Sequence, residues 1–180
     1  MIVAEKKRKE NISEYLLYMF QIEDMIRAYE FDIDRIDREL ISNYEQPYNI
    51  KRDIREWYAS LITMMKENNL IKSGHIPLLT SLITDLNNLH HSLLSKEDEK
   101  DYKDLYSLAK PPIEELKQKS QQKETTDIEA CLNGLYGVLL LRLQKKNLSG
   151  GTAEAISRIS HLLAELTIRF HQVERGEKEL

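Results

Sequence analysis

The chain has 180 residues, of which 41% are hydrophobic and 31% are charged, and its net charge at pH 7 is −4. This balance argues against a protein that binds nucleic acid, because neutralising phosphates needs clustered cations. The one cysteine, Cys131, excludes an internal disulfide, and the low numbers of glycine (6) and proline (4) favour long helices. We expect a single domain over residues 1–180, since a chain of this length can bury a sizeable core.

The sequence predicts no membrane-spanning segment. Spanning a bilayer takes about 20 consecutive apolar residues, and the densest apolar stretch, GVLLLRL, is interrupted by Arg142. The basic start, EKKRKEN, is not followed by the apolar region of a secretory signal. Glu5 and Glu10 flank its cations, which favours a solvated segment, frayed over residues 1–10, rather than a phosphate-binding patch. We therefore expect a cytoplasmic location and no membrane partner.

The first long helix is predicted over residues 11–40. Apolar side chains recur there at spacings of three and four, a period that a strand cannot display. Asn11 is the expected N-cap, and Glu23 and Arg27 are spaced for an ion pair on the helix surface. The apolar stripe consists of Ile12, Tyr15, Met19, Ile22, Ile26, Tyr29, Ile33, Ile36 and Leu40. Such a helix would run the full length of a compact domain of this size.

The stretch FDIDRIDREL (31–40) is the part of this helix that most resembles a cation site. Its aspartates, Asp32, Asp34 and Asp37, fall on the flanks of the predicted helix, away from the apolar stripe. A calcium-binding loop needs oxygen ligands at alternating positions and a central glycine, and this stretch contains no glycine. We interpret it as the solvated face of a helix, exposed and free of metal.

Three more helices are predicted in the middle of the chain. The second helix spans the apolar positions of residues 50–64. Pro77 suits the first turn of the third helix, since proline lacks an N–H that a first turn does not use. A fourth, more polar helix follows, and the double proline at 111–112 is expected to break or kink it. The polar residues 118–125 are predicted to form a mobile loop.

Two helices complete the chain. Thr126 and Glu129 have the spacing of a capping box, and the helix that they start is expected to run to about Lys146. Thr152 is the expected cap of the last helix, whose apolar residues repeat the pattern of the first. The predicted fold is an all-α, single-domain helical bundle of five to seven helices, with long first and last helices.

Small residues cut a notch into one face of the penultimate helix. Ala130, Gly134 and Gly137 lie three or four residues apart, so their short side chains share that face. A large ring can sit in such a notch, and Trp57 is the expected occupant.

Four residues form a candidate ligand cluster inside the bundle: His90, Cys131, Tyr136 and His171. A cysteine and a distant histidine could form a catalytic pair, although one cysteine in an apolar helix is usually a packing residue. No histidine lies in the Glu-x-x-His or His-Glu-x-x-His spacing that holds metals on helices. We therefore predict no catalytic residue, no metal ligand and no cofactor. The alternative is a small-molecule- or metal-binding protein, or an enzyme, that uses this buried His/Cys/Tyr cluster.

The last helix carries a second stripe, made of small residues, beside its apolar one. Small side chains allow close helix approach, either within the core or between two copies of the chain. The leading functional hypothesis is a protein-interaction or structural module that forms a homodimer. The candidate interface consists of Ala153, Ser157, Ser160, Ala164 and Thr167.

The two ends of the chain carry a family resemblance. The opening, MIVAEKKRKENISEYLLYMFQIEDMIRA, and the ending, RFHQVERGEKEL, resemble a bacterial family of small proteins classed only as a domain of unknown function. The similarity covers nearly the full length. It implies a helical, bacterial protein of about 180 residues and carries no activity, cofactor or catalytic residue.

Overall fold

The computed structural model describes residues 2–120 and 124–178. Within this part, the chain forms eight α-helices, one short 3-10 helix at Ile41–Asn43, and no strand. The all-α prediction is confirmed, whereas the predicted number of five to seven helices is too low. The helices are α1 (Ile2–Glu10), α2 (Ile12–Ala28), α3 (Ile33–Glu39), α4 (Tyr48–Glu67), α5 (Pro77–Ser95), α6 (Lys100–Lys119), α7 (Asp127–Leu143) and α8 (Gly150–Glu174).

Contacts group the chain into two compact units, which we describe separately. The first unit contains residues 2–10 and 14–80, and the second contains residues 11–13 and 81–178. The single domain over residues 1–180 stays a prediction.

Two predictions concern segments expected to be loosely held. Residues 2–10, for which the sequence predicts fraying, form α1, and their fraying stays a prediction. Of the predicted mobile loop over residues 118–125, residues 118 and 119 belong to α6. Residues 121–123 of that loop lie outside the described residues.

The long first helix predicted over residues 11–40 is wrong, because it is interrupted. Residues 29–32 separate α2 from α3. Within them, Glu30 and Phe31 have φ values of 53° and 61°, a left-handed conformation that costs about 1–2 kcal/mol per residue outside glycine. Ile36 of α3 is nevertheless fully buried. The apolar spacing therefore continues across the break and conceals it.

Asp32 restarts the helix. Its Oδ1 accepts hydrogen bonds from the backbone N–H groups of Asp34 and Arg35, both at 3.0 Å, which is the role of an N-cap. Asp34 and Asp37 both pair with Arg55 of α4, Asp37 at 3.4 Å. The stretch FDIDRIDREL thus forms a helix cap and a set of surface ion pairs, rather than one side of a continuous helix.

Glu23 and Arg27, predicted to pair with each other, have other partners. The Glu23 side chain is fully buried, and its carboxylate accepts a hydrogen bond from the backbone N–H of Ile76 at 2.8 Å. It also lies 2.6 Å from Nδ1 of His75. Arg27 pairs with Asp24 at 2.8 Å. A buried carboxylate that anchors a distant backbone is a tertiary feature that helical spacing does not encode.

In the second unit, α6 packs against both α7 and α8. Of the break or kink expected at the double proline 111–112, the break is wrong, because α6 continues through both residues, and the kink stays a prediction. A proline lacks the N–H that would bond the carbonyl four residues earlier. Those carbonyls belong to Ser107 and Leu108, and both residues are exposed. Water can replace the missing donors there, which reduces the cost of the prolines.

The side chain of Leu116 on α6 lies against Gly134 in the notch on α7, the notch for which the sequence predicts Trp57 as the occupant. A Cβ placed on Gly134 would lie only 2.6 Å from Cδ1 of Leu116, so the absence of a side chain at Gly134 permits this contact. Beside Gly137 there is open space instead. Trp57 belongs to the first unit, where its ring lies edge-on to Tyr58 at a centroid distance of 5.0 Å.

The last two helices begin at hydroxyl caps. Thr126 Oγ1 accepts a hydrogen bond from the backbone N–H of Glu129 at 3.3 Å, as predicted. For α8, the cap is Ser149 rather than Thr152: Oγ of Ser149 accepts from the N–H of Thr152 at 3.1 Å. Two glycines thus enter the first turn of the helix. The long last helix, 25 residues, is confirmed.

Candidate functional site

A buried hydrogen-bonded network surrounds His90 in the second unit. The His90 ring is fully buried, and its Nδ1 lies 2.7 Å from the hydroxyl oxygen of Tyr102, which is also fully buried. Its Nε2 lies 3.8 Å from Oδ2 of Asp127, beyond hydrogen-bond distance. Among the described residues, this Nε2 has no hydrogen-bond partner. The His90 network consists of His90, Tyr102, Tyr106, Lys117 and Asp127.

Asp127 is the charged centre of the His90 network. Tyr106 donates its hydroxyl hydrogen to Oδ2 at 2.6 Å, and Lys117 donates to Oδ1 at 2.8 Å. The neighbouring His90 ring, followed by Lys117 and Tyr106, holds the pKa of the Asp127 carboxyl well below its usual range, although burial acts to raise it. The carboxylate is therefore ionised and compensated, as a largely buried charge must be.

Cys131 lies one helical turn after Asp127 and is fully buried. Burial, and then the charge of Asp127, raises the pKa of its thiol. Burial likewise raises the pKa of the Tyr102 hydroxyl. A cysteine nucleophile acts as the thiolate, and a buried thiol with a raised pKa supplies very little of it. The arrangement favours a packing role for Cys131 over nucleophilic chemistry.

The other two members of the candidate ligand cluster have different surroundings. His171 is buried on α8, with its Nδ1 3.0 Å from Glu174 and its ring edge-on to Phe170 at 5.8 Å. Tyr136 is half-buried on α7. Across residues 2–120 and 124–178, there is no group of three or more His, Cys, Asp or Glu side chains arranged to hold a metal ion. The structure thus places His90 and Cys131 near the same carboxylate and gives His171 a separate partner.

Most of the His90 network escaped prediction from the sequence. Tyr102 and Tyr106 are spaced four residues apart on α6, so they present their hydroxyls to the same side. That spacing, together with Asp127 at the start of α7, was a usable signal. This signal is easy to miss because Asp127 also lies within a capping-box pattern. The pattern accounts for an aspartate at this position even if that aspartate contacts no residue of another helix. Lys117 gave no signal of its own.

The small-residue stripe of α8 is divided between surface and interior. Ala153, Ser157 and Ala164 are exposed, and Ser160 is half-buried. Thr167 is buried, and its hydroxyl lies 2.8 Å from that of Ser13, within the second unit. Only the exposed part of the stripe is available to a second copy of the chain, and the homodimer stays a prediction.

A large concave feature lies in the first unit, between α1 and α4. A cavity of about 910 Å³ opens beside residues 43–46 and the N-terminal half of α4. Such a volume is within the range of ligand-binding clefts. Burial, followed by the neighbouring Tyr44, raises the pKa of the Tyr18 hydroxyl to about 12, so this lining side chain stays neutral. The described residues that line this cavity are Val3, Glu5, Tyr18, Asn43, Tyr44, Glu45, Gln46, Ile50, Asp53 and Ile54.

A second cavity, of about 430 Å³, follows along the same face of α4. It shares Glu5 with the first cavity, and we refer to the two neighbouring cavities together as the α1–α4 groove. The groove is apolar and accessible: Val3, Met64 and Leu78 expose 43%, 37% and 56% of their surfaces. The described residues that line this second cavity are Ala4, Glu5, Arg8, Lys9, Tyr15, Met19, Trp57, Ser60, Leu61, Met64, Ile76 and Leu78.

Glu23 fixes the far end of the groove. Its carboxylate holds the backbone of Ile76 and the ring of His75, and that ring stacks on Phe20 at 3.8 Å. These contacts hold the segment that leads to Leu78, whose exposed side chain lines the groove. The end wall is thus built by buried polar contacts rather than by a regular helix.

A family model now places the chain among known sequences. The model of a domain of unknown function, DUF4924, matches residues 1–177. The chain belongs to this family. The resemblance seen at both ends of the sequence is therefore confirmed as membership of an uncharacterised family.

Family membership brings no activity to the DUF4924 chain, because the family itself is uncharacterised. No curated protein and no solved structure matches the chain. Among the described helices, none is both long and apolar enough to cross a bilayer. The functional argument for this DUF4924 member consequently depends on its own geometry.

Proposed function

We propose that this DUF4924 protein is a non-catalytic interaction module that binds a partner protein through the α1–α4 groove. One observation supports this most strongly: an accessible apolar groove follows one face of α4 from Ile50 to Met64. Exposed apolar surface is costly in water unless something covers it, and contiguous patches commonly mark binding sites. We include in this proposal the cytoplasmic location and the bacterial origin that the sequence leads us to expect.

The His90 network gives weaker support to the alternative of an enzyme or small-molecule site. Its histidine is engaged by Tyr102, and its carboxylate by Tyr106 and Lys117. The nearby thiol of Cys131 is fully buried and its pKa is raised. A reacting group needs both access and a suitable pKa, and the α1–α4 groove is the better-exposed feature.

The single tryptophan makes the proposal testable, because Trp57 lines the groove and no other residue contributes indole fluorescence. The probe is a synthetic, tryptophan-free amphipathic helical peptide with leucines at i, i+3, i+4 and i+7 and its charges evenly distributed. Binding in the groove should shift the Trp57 emission to the blue and saturate with peptide concentration.

Two exposed leucines provide a matched pair of variants. Leu78→Arg places a charge on the groove wall and should weaken peptide binding at least tenfold, whereas Leu143→Arg, on α7, should leave it unchanged. Both leucines are exposed, at 56% and 67%, so neither variant should unfold the protein. Absence of a saturable signal, or equal binding by the two variants, would refute the groove as an interaction site.

A further inference from the structure

Residues 70–76, which lie between α4 and α5, form an exposed segment that we call the 70–76 strap. Residues 71–75 make no backbone–backbone hydrogen bond with any described residue. Residues 71–74 are exposed, and Ile71 exposes 48% of its surface. A segment with few backbone hydrogen bonds and little buried surface can open locally while its neighbours stay folded. Contacts from elsewhere in the first unit must therefore hold the strap in place.

Two side chains of α2 hold the strap. Arg27 donates from Nε to the carbonyl oxygen of Leu70 at 3.1 Å and from Nη2 to the carbonyl oxygen of Gly74. Glu23 accepts a hydrogen bond from the backbone N–H of Ile76 at 2.8 Å. Glu23 and Arg27 are one helical turn apart, so both reach the strap from the same face of α2.

The ring of His75 adds a third contact between the strap and α2. It stacks on the buried ring of Phe20 at a centroid distance of 3.8 Å. Its Nδ1 lies 2.6 Å from the Glu23 carboxylate, a separation that requires a hydrogen between the two atoms. Because these contacts and those of Arg27 all join one short segment to one helix face, we expect them to form and break together.

The closed strap supplies part of the lining of the α1–α4 groove. Ile76 lines the second cavity beside Trp57 and Met64, and it is 2% exposed. Release of its N–H from Glu23 would free this part of the lining to move. An occupant that contacts the lining therefore favours the closed strap, since a ligand stabilises the conformation to which it binds more tightly.

We propose that the 70–76 strap opens and closes on α2 as one unit, and that the groove binds its partner with the strap closed. The first part stands on the contacts of Glu23, Arg27 and His75. The second part rests on the proposed interaction function and adds a conformational control to it.

Amide hydrogen exchange of the full chain, followed by NMR, tests whether the strap is one unit. The reporter is the N–H of Ile76, which Glu23 protects. Arg27→Met removes the contacts at Leu70 and Gly74 and leaves the Glu23 contact with Ile76 in place. If the strap opens as a unit, exchange at Ile76 should nevertheless accelerate at least about tenfold, because hydrogen bonds from a charged donor are strong.

Arg52→Met is the matched control. Its ion pairs, with Asp53 and Glu56, lie within α4, so exchange at Ile76 should not change. Unchanged exchange at Ile76 in Arg27→Met would overturn the unit. Equal acceleration at Met65, which is fully buried in α4, would show general destabilisation of the first unit and would also overturn it.

A second pair of variants decides the matter even if Arg27→Met does not fold. Gly74 has a φ of 91°, which strains any other residue, and an added Cβ would lie 3.0 Å from Cδ2 of Leu70. Gly74→Ala should therefore open the strap and accelerate exchange at Ile76 roughly tenfold. Gly137→Ala, whose Cβ would meet open space on α7, should leave that exchange unchanged.

The tryptophan-free amphipathic peptide tests the link between the strap and the groove. At a concentration of about 100 times its Kd, the peptide should slow exchange at Ile76 at least about tenfold, because binding to the closed form opposes opening. Saturable binding by Trp57 emission with unchanged exchange at Ile76 would overturn the link and leave the interaction function standing. Absence of binding would overturn both the function and the link, while the Arg27 and Gly74 variants still decide the strap.

Discussion

The hydroxyl oxygen of Tyr102 lies 2.7 Å from Nδ1 of His90, and both side chains are fully buried. The two residues lie on different helices, α5 and α6, so this hydrogen bond ties the helices together inside the second unit. Because Nε2 of His90 is 3.8 Å from its nearest carboxylate oxygen, the ring depends on Tyr102 for its hydrogen bond. The stability of the second unit should therefore be sensitive to that hydroxyl.

Tyr102→Phe should lower the free energy of unfolding by about 1–3 kcal/mol, since it leaves a buried ring nitrogen without a partner. Chemical denaturation measures the change. Tyr48→Phe is the matched control, because Tyr48 exposes 84% of its surface and loses only a solvated hydroxyl. Equal stability of the two variants would mean that the His90 network contributes nothing through this hydrogen bond.

Asp127 should give the second unit an acid-dependent stability. Its folded-state pKa is lowered, so its contribution is fully present above the unfolded-state pKa of about 3.9 and is lost as the pH falls below it. Asp127→Asn should be less stable than the wild type at pH 7, and the difference should shrink as the pH is lowered below 4. Unfolding free energies measured at both pH values check this. The control is Asp85→Asn, because Asp85 is exposed, and its stability difference from the wild type is not expected to shrink at low pH.

The thiol of Cys131 should be unreactive in the native protein. Because the thiol is fully buried, a reagent cannot reach it. Burial and the charge of Asp127 also raise its pKa, so very little of the reactive thiolate forms. A colorimetric thiol reagent at pH 8 should label the folded chain very slowly and the urea-unfolded chain at once. Rapid stoichiometric labelling of the folded protein would revive the nucleophile hypothesis. With one cysteine in the chain, the assignment is unambiguous.

Asp32→Ala should destabilise the first unit by about 0.5–2 kcal/mol, because it removes the side chain that caps α3. Asp34→Asn should cost clearly less, since Asp34 is exposed and its pairing with Arg55 lies at the surface. Thermal and urea denaturation measure the stability that each variant loses relative to the wild type. Equal losses would contradict the assignment of Asp32 as the cap.

Ala164→Arg tests the predicted homodimer on α8. Ala164 is exposed, so the arginine should leave the helicity unchanged while it prevents close approach of a second copy. We expect sedimentation to detect a dimer for the wild-type chain and a monomer for the variant, with equal circular dichroism. A monomeric wild type at micromolar concentration would remove the homodimer and leave the exposed small residues as ordinary surface.

The sequence by itself determined the helical character of the chain and several of the residues at which its helices begin. Spacings of three and four fix a helical apolar face wherever they occur, and the cap at Thr126 follows from local hydrogen bonding within one turn. The start of α5 at Pro77 and the length of α8 are local in the same sense. Such features need no knowledge of what packs against them.

Only the tertiary structure decided the rest, because the deciding contacts join residues far apart in the chain. The break at Glu30 and Phe31 persists through an uninterrupted apolar spacing. The continuation of α6 through two prolines depends on the exposure of the carbonyls that lose their donors. Leu116 lies against Gly134 in the notch because α6 packs on α7, and helical spacing on α7 alone cannot name this neighbour. Both Glu23, predicted at the surface but buried against Ile76, and the α1–α4 groove itself arise from such non-local contacts.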